Sequence, residues 1–217
     1  MKFKLTDFSF GYKKLLFSHL NLVIPLNEII LLTGENGCGK TTFCRLLSGL
    51  EKDYFGKIDI AENDLNTLSI KQIADILVYH KQEPQGNIVA ATPDEDLSIW
   101  QSKFTKNLNE QHNIQRKEVL TDLHIAEFQK TPFWELSSGQ VKRSGIAALL
   151  LNPEKYWILD EPFNGLHQEI VDKLLAILKA RRKSGFGTMI VTHNIEEIKE
   201  IADSILKIEN ETIRNLQ

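Results

Sequence analysis

The stretch IILLTGENGCGKTTFCRLL, from Ile29 to Leu47, decides the fold: an apolar run breaks at Gly34 into a glycine-rich loop, which then opens a helix. Gly34, Gly37, Gly39, Lys40 and Thr41 fill the frame G-x-x-x-x-G-K-[ST] of a phosphate-binding P-loop, with a second hydroxyl at Thr42. Glycine suits a loop that must turn tightly and bring backbone N–H groups close to phosphate oxygens without a Cβ between them. The helix that follows, with Phe43, Leu46, Leu47 and Leu50 on one stripe, aims its positive end at the same anion. In such a loop Lys40 neutralises the β- and γ-phosphates of a nucleotide, and the Thr41 hydroxyl holds Mg²⁺.

A second element of phosphate chemistry follows much later. Tyr156-Trp157-Ile158-Leu159 reads as a short buried strand running into Asp160-Glu161-Pro162. An α/β sheet places ligand chemistry at the carboxyl ends of its strands. Asp160 is therefore expected in the Mg²⁺ shell and Glu161 beside the γ-phosphate, polarising an attacking water. A third strand, Thr188 to Val191, ends at Thr192-His193, which makes His193 a candidate γ-phosphate contact. Between these lies Leu136-Ser137-Ser138-Gly139-Gln140, where Ser137 is a good helix N-cap and Gly139 leaves backbone N–H groups open. The chain thus offers two anion-facing helix starts.

Composition bounds the rest. The chain has 217 residues, 42% hydrophobic and 25% charged, enough to bury a full core. A formal net charge of −3 gives no footprint for nucleic acid. The apolar stretches, such as Ile146 to Leu151, fall far short of the roughly 18 residues that cross a bilayer, and a soluble chain is expected. The start, MKFKLTDFSFGY, alternates like a strand and lacks the apolar core of a signal peptide. The two cysteines, Cys38 and Cys44, are too few for a metal cage and read as reduced thiols.

Over essentially its whole length the chain resembles the nucleotide-binding subunits of ATP-binding cassette (ABC) transporters. Tyr12 in FSFGYKK resembles the aromatic residue that stacks on adenine. GENGCGKTT resembles Walker A, whose counterparts here, Gly34, Asn36, Gly37, Cys38, Gly39, Lys40, Thr41 and Thr42, would cradle ATP. Gln82 in VYHKQEPQ resembles the Q-loop glutamine, LSSGQ the signature LSGGQ, YWILDEP Walker B with its catalytic Glu161, and His193 in VTHN the switch histidine. The resemblance implies a P-loop (RecA-like) α/β lobe with an N-terminal antiparallel β subdomain and an inserted helical subdomain. It implies ATP and Mg²⁺ as ligands, with Gln82 joining Thr41 and Asp160 at the metal. It further implies a head-to-tail dimer, homomeric or with a related ATPase, in which Ser137, Gly139 and Gln140 complete the partner's site. An integral membrane subunit would be the second partner, and the chain would sit in the cytoplasm on the inner face of the membrane.

Residues 1–83 and 141–217 are expected to form the catalytic lobe, and 84–140, polar and helix-like over Glu95 to Asn107 and Ile114 to Leu123, the inserted signature lobe. A helix from Ile195 to about Ala202 and a hairpin turning near Asn210 are expected to end the fold, leaving no room for a regulatory domain. EPQGNIVAATPDEDLSIW is similar to the region after the Q-loop in energy-coupling-factor and cobalt-type ATPases, where Q-x-V-x-x-T-x-x-E-D is common. Asn87 departs from its glutamine, and Thr92 to Asp96 read equally as an N-cap with an acidic first turn. If the similarity holds, the implied partner is a membrane protein for vitamin or metal-ion uptake. Trp100 is then either a docking anchor or a packed residue of the helical lobe. Asn164-Gly165-Leu166-His167 resembles the D-loop with His167 in place of its aspartate, which keeps open a regulatory subunit that hydrolyses slowly. A non-transport ABC ATPase would be expected to show two linked cassettes or a long coiled coil.

Overall fold

The computed structural model describes residues 1–104, 110–193 and 195–216. The first half of the chain forms β1 (Lys2–Gly11), β2 (Leu15–Pro25), β3 (Ile29–Gly34), α1 (Lys40–Leu47), β4 (Phe55–Ile60), β5 (Asn63–Asp64), α2 (Ile70–Ile76), β6 (Leu77–His80), α3 (Pro93–Phe104) and α4 (Glu110–Asp122). The second half forms α5 (Ser138–Leu150), β7 (Tyr156–Asp160), α6 (Gln168–Lys183), β8 (Thr188–Val191), α7 (Ile195–Lys199), β9 (Ser204–Glu209) and β10 (Thr212–Asn215).

Two compact units emerge. The first, Met1–Tyr79, Lys155–Pro162 and Leu175–Gln217, is built on two sheets. One is antiparallel, in the order β2-β1-β4-β5. The other runs β10-β9-β3-β8-β7-β6, with β3 parallel to both β8 and β9, and β8 parallel to β7. Strands buried on both faces should read as unbroken apolar runs, and Tyr156 to Asp160 and Thr188 to Val191 are buried at every position. Strands of the antiparallel sheet alternate instead, with Phe3, Leu5, Phe8 and Phe10 inward on β1. These residues join Ile30, Leu32, Phe43, Leu46, Ile158 and Val191 in one apolar cluster.

The second unit comprises His80–Glu154 and Phe163–Leu174. Helix α5, assigned from the sequence to the catalytic lobe after residue 140, groups with the inserted helices. Its Val141, Ile146 and Ala147 are buried, and Arg143 donates to the Leu123 carbonyl at 3.2 Å. Pro93 opens α3 with Asp94, Glu95 and Asp96 in its first turn, as the N-cap reading expects. Asp96 accepts a 2.7 Å bond from the Val89 N–H. The expected helix to Asn107 runs from Pro93 to Phe104, and residues 105–107 lie outside the described residues. The last helix stops at Lys199 rather than Ala202, while the terminal hairpin turns at Asn210 and Glu211, both at positive φ. Among the described residues no helix is long and apolar enough to cross a membrane.

Candidate nucleotide site

The P-loop hangs between the end of β3 and the start of α1 in the first unit. A Cβ on Gly34 would lie 2.7 Å from both the Cys38 Sγ and the Ile208 carbonyl, so only glycine lets the loop close there. Gly39, at φ 107°, is the N-cap of α1 and supplies no side-chain bond to its first turn. The leading N–H groups of α1 are thereby presented to an anion instead of to a capping oxygen. Lys40 is drawn into the loop, its Nζ donating to the carbonyls of Gly34 at 2.8 Å and Glu35 at 2.9 Å. Phe43, Cys44, Leu46 and Leu47 anchor α1 in the core. Leu50, expected on the same stripe, is exposed, because the helix ends at Leu47 and Gly49 turns the chain at φ 67°.

Asp160 closes β7, buried, and its Oδ2 accepts from the Tyr79 hydroxyl at 3.2 Å. Burial, with the Asp160 charge second, pushes the Cys44 thiol well above its ordinary pKa, so Cys44 is a protonated packing residue. The next residue, Glu161, stands at φ 50°, a left-handed conformation costly outside glycine, and its N–H donates to the Val191 carbonyl at 2.8 Å. This turn directs the carboxylate toward His193, with Oε1 3.2 Å from Nε2. Tyr12, just past β1, is 63% exposed; its ring meets Phe10 edge-on at 5.0 Å, and its hydroxyl reaches Glu51 Oε2 at 3.4 Å. An open cavity of about 510 Å³ lies beside Gly37 and Cys38, lined also by Lys14, Leu15, Leu16, Asn210 and Glu211.

The first unit therefore gathers Tyr12, the loop from Gly34 through Asn36 to Thr42, Asp160, Glu161 and His193. Among the described residues no group of three or more His, Cys, Asp or Glu side chains forms a metal cage. A hydroxyl at Thr41 and one buried carboxylate at Asp160 fit Mg²⁺, which takes few protein ligands and fills its shell with water and phosphate oxygens. The second unit holds Gln82, Ser137, Gly139, Gln140 and His167. Gln82 is exposed on a turn closed by Asn87, whose Oδ1 accepts from the Lys81 N–H at 2.7 Å and whose Nδ2 donates to the Lys81 carbonyl at 2.9 Å. The residue that departs from the cobalt-type pattern is thus the clasp of the Gln82 turn. Ser137 caps α5 in a reciprocal box: Gln140 N donates to its Oγ at 3.3 Å, and its N–H donates to Gln140 Oε1 at 2.7 Å. Gln140, expected at the nucleotide, spends its side chain on this cap. His167 is exposed, and its carbonyl accepts from the N–H groups of Ile170 and Val171 at the start of α6.

Sequence reading missed Tyr79 and the cavity wall at Lys14 and Glu211, and it noted Asn87 only as a departure from a glutamine, not as the clasp of the turn, although an Asn after Gly is itself a turn signal. Trp100 is half-buried with its Nε1 inside, favouring the packed reading, whereas Trp134, just before the Ser137 cap, is 76% exposed.

A glycine loop with its lysine, a strand-end Asp-Glu pair and a facing histidine, all at the ends of the parallel strands β3, β7 and β8 of one sheet, define a P-loop nucleotide-binding domain. The ABC transporter family matches residues 17–164, and the chain belongs to it as an ATP-binding domain. It is 30% identical over 210 residues to a Bacillus cereus protein carrying the ABC transporter ATP-binding description, covering 94% of this chain and 36% of that one. The chain thus spans about a third of the length of the Bacillus relatives it matches. It is 29% identical over 193 residues to the cytochrome c biogenesis ATP-binding export protein CcmA of Yersinia pseudotuberculosis, covering 89% and 85% of the two chains. In fold it matches a dimeric ATP-binding cassette in a post-hydrolysis state bound to ADP and Pi, with a TM-score of 0.85, 22% identity and coverage of 99% and 98%.

Proposed function

We propose that the chain binds and hydrolyses ATP as the motor subunit of an ABC transporter, driving solute movement through a separate integral membrane partner from the cytoplasmic face. The observation that carries this reading is the Glu161–His193 pair at 3.2 Å, held in the same unit as Lys40. Lys40 exchanges its two carbonyl partners for phosphate oxygens, and the N–H groups of α1 bind the same anion. Thr41 and Asp160 would hold Mg²⁺, which would supply charge neutralisation to the phosphates. Glu161 accepts a proton from the attacking water, and His193 holds the γ-phosphate end in line. Tyr12 stacks its open ring face on adenine. The Ser137–Gly139 helix start meets the nucleotide of a second subunit, so that closure on ATP and reopening after cleavage provide the stroke. The similarity of residues 83–100 to energy-coupling-factor and cobalt-type ATPases supports vitamin or metal-ion uptake as the transport class.

A second reading is a regulatory subunit that closes on ATP and cleaves it slowly, favoured by His167 at the D-loop aspartate position. Phosphate release by the purified chain, alone and with the membrane protein that copurifies with it from detergent extracts, separates the two. Release that depends on Lys40 and Glu161 and is stimulated by the partner supports the motor; ATP binding without release supports the regulatory subunit. No ATP binding overturns both.

A further inference from the structure

The first turns of α5 carry more than the Ser137 cap. Lys142 is 4% exposed, and its Nζ donates to the backbone carbonyl of Asn164 at 2.9 Å. One turn earlier on the same face, a Cβ on Gly139 would stand 3.5 Å from the Gly165 carbonyl, so the segment after β7 packs directly on the helix start. One turn further along α5, Gly145 admits the buried His80 ring: a Cβ there would lie 3.0 Å from His80 Nε2 and 3.4 Å from the Cβ of Asn87, the clasp of the Gln82 turn. Burial and, after it, the Lys142 charge hold His80 far below its ordinary pKa, so the ring beside this lysine is neutral. Burying an ammonium carries a desolvation cost that its contacts must offset, and the Asn164 carbonyl is one of those contacts.

We propose that Lys142 is a positioning residue: it fixes the Asn164–His167 segment to the first turn of α5, so that this segment and the Ser137–Gly139 helix start are presented to a second subunit as one surface. The inference rests on the ATP-driven dimer of the preceding section. Without the lysine the Asn164 carbonyl loses its donor, and the segment moves apart from the helix start. A surface assembled from two segments reaches its partner only when both arrive in register, and a misplacement of about 1 Å can cost 10²-fold in rate.

The test is steady-state phosphate release by the full chain carrying Lys142→Met or Lys142→Arg, with binding of a fluorescent ATP analogue measured alongside. Lys142→Met is expected to leave analogue affinity and KM within about twofold and to lower kcat by about 10-fold or more. Lys142→Arg, whose guanidinium still donates to a carbonyl, recovers most of the rate. Wild-type kcat in Lys142→Met overturns the proposal while leaving the ATPase reading intact. If the wild type itself releases no phosphate, that reading fails, and amide hydrogen exchange decides the positioning claim alone. Residues 164–167 should then exchange faster in Lys142→Met than in the wild type and Lys142→Arg, and equal exchange overturns it. Should Lys142→Met not fold, Lys142→Gln, too short to reach the carbonyl, takes its place in both measurements.

Discussion

Glu161 Oε1 and His193 Nε2 lie 3.2 Å apart across the ends of neighbouring parallel strands, yet the glutamate side chain is 4% exposed and the histidine side chain 55% exposed. A carboxylate sunk at a strand end, reached by a ring that opens to water, has the geometry of a base with a path for its proton.

Replacing Glu161 tests the role proposed for it. Glu161→Gln keeps the size and much of the polarity of the side chain, so ATP binding should persist while phosphate release falls by about 10²- to 10⁴-fold. ATP-bound dimers should accumulate, visible by size exclusion. Wild-type turnover in this variant would show that the strained turn at Glu161 serves structure alone.

Tyr12 offers an exposed ring that meets Phe10 edge-on and whose hydroxyl makes a long, exposed contact with Glu51. Stacking on adenine contributes roughly 0.5 to 1.5 kcal/mol beyond burial. Tyr12→Ala should therefore weaken ATP binding several-fold and Tyr12→Phe hardly at all, measured by calorimetry. An alanine variant with unchanged affinity would assign Tyr12 to packing against Phe10.

His80 ties stability to pH. Burial first, and the Lys142 charge second, lower its pKa from 6.5 to about 3. Between those values the unfolded chain takes up the proton and the folded one does not, so stability is full above about pH 6.5 and falls as pH drops toward 3. The loss reaches a few kcal/mol, in order of magnitude, at the acid end. Chemical denaturation from pH 7 to 4 should show a shallower decline for His80→Leu than for the wild type, and parallel curves would place the acid sensitivity elsewhere.

His167 presents an exposed imidazole where the resembling segment carries a fixed negative charge. The wild-type chain alone is expected to dimerise weakly with ATP, and His167→Asp to strengthen dimerisation and turnover together by several-fold. Sedimentation showing equal dimerisation of the two chains would remove the basis for preferring a heteromeric partner.

Glycine spacing and apolar runs are local signals, and they make the Gly34–Thr42 loop, the Asp160-Glu161 strand end and the Asn210 turn legible in the sequence. Contacts to backbone carbonyls leave no such trace. Nothing in the residues around Lys142 or Asn164 announces that one reaches the other, because every residue offers the same acceptor. Tyr79, which donates to Asp160, lies on a different strand, and the sheet order brings the two together. The inserted lobe misled at its end because α5 is apolar enough to read as a core helix of either unit; its buried Lys142, Ser144 and Gly145 were the signs of a closer, polar contact. Gln140 shows that a residue can match a motif and still be consumed by local chemistry, here the cap on Ser137.

The position of β3 in its sheet has a consequence for how the molecule comes into being. Leu31 is paired with Ile190 on one side and Ile205 on the other. On a ribosome, which releases the chain from its N-terminus, the Ile29–Leu32 run emerges well before β8 and β9, with both hydrogen-bonding edges bare until those strands follow. Such an apolar strand is open to pairing with other chains while it waits. The phosphate loop gains its fixed mounting only once β8 and β9 have both emerged, so a product cut before them carries the Walker A residues without the sheet that shapes them.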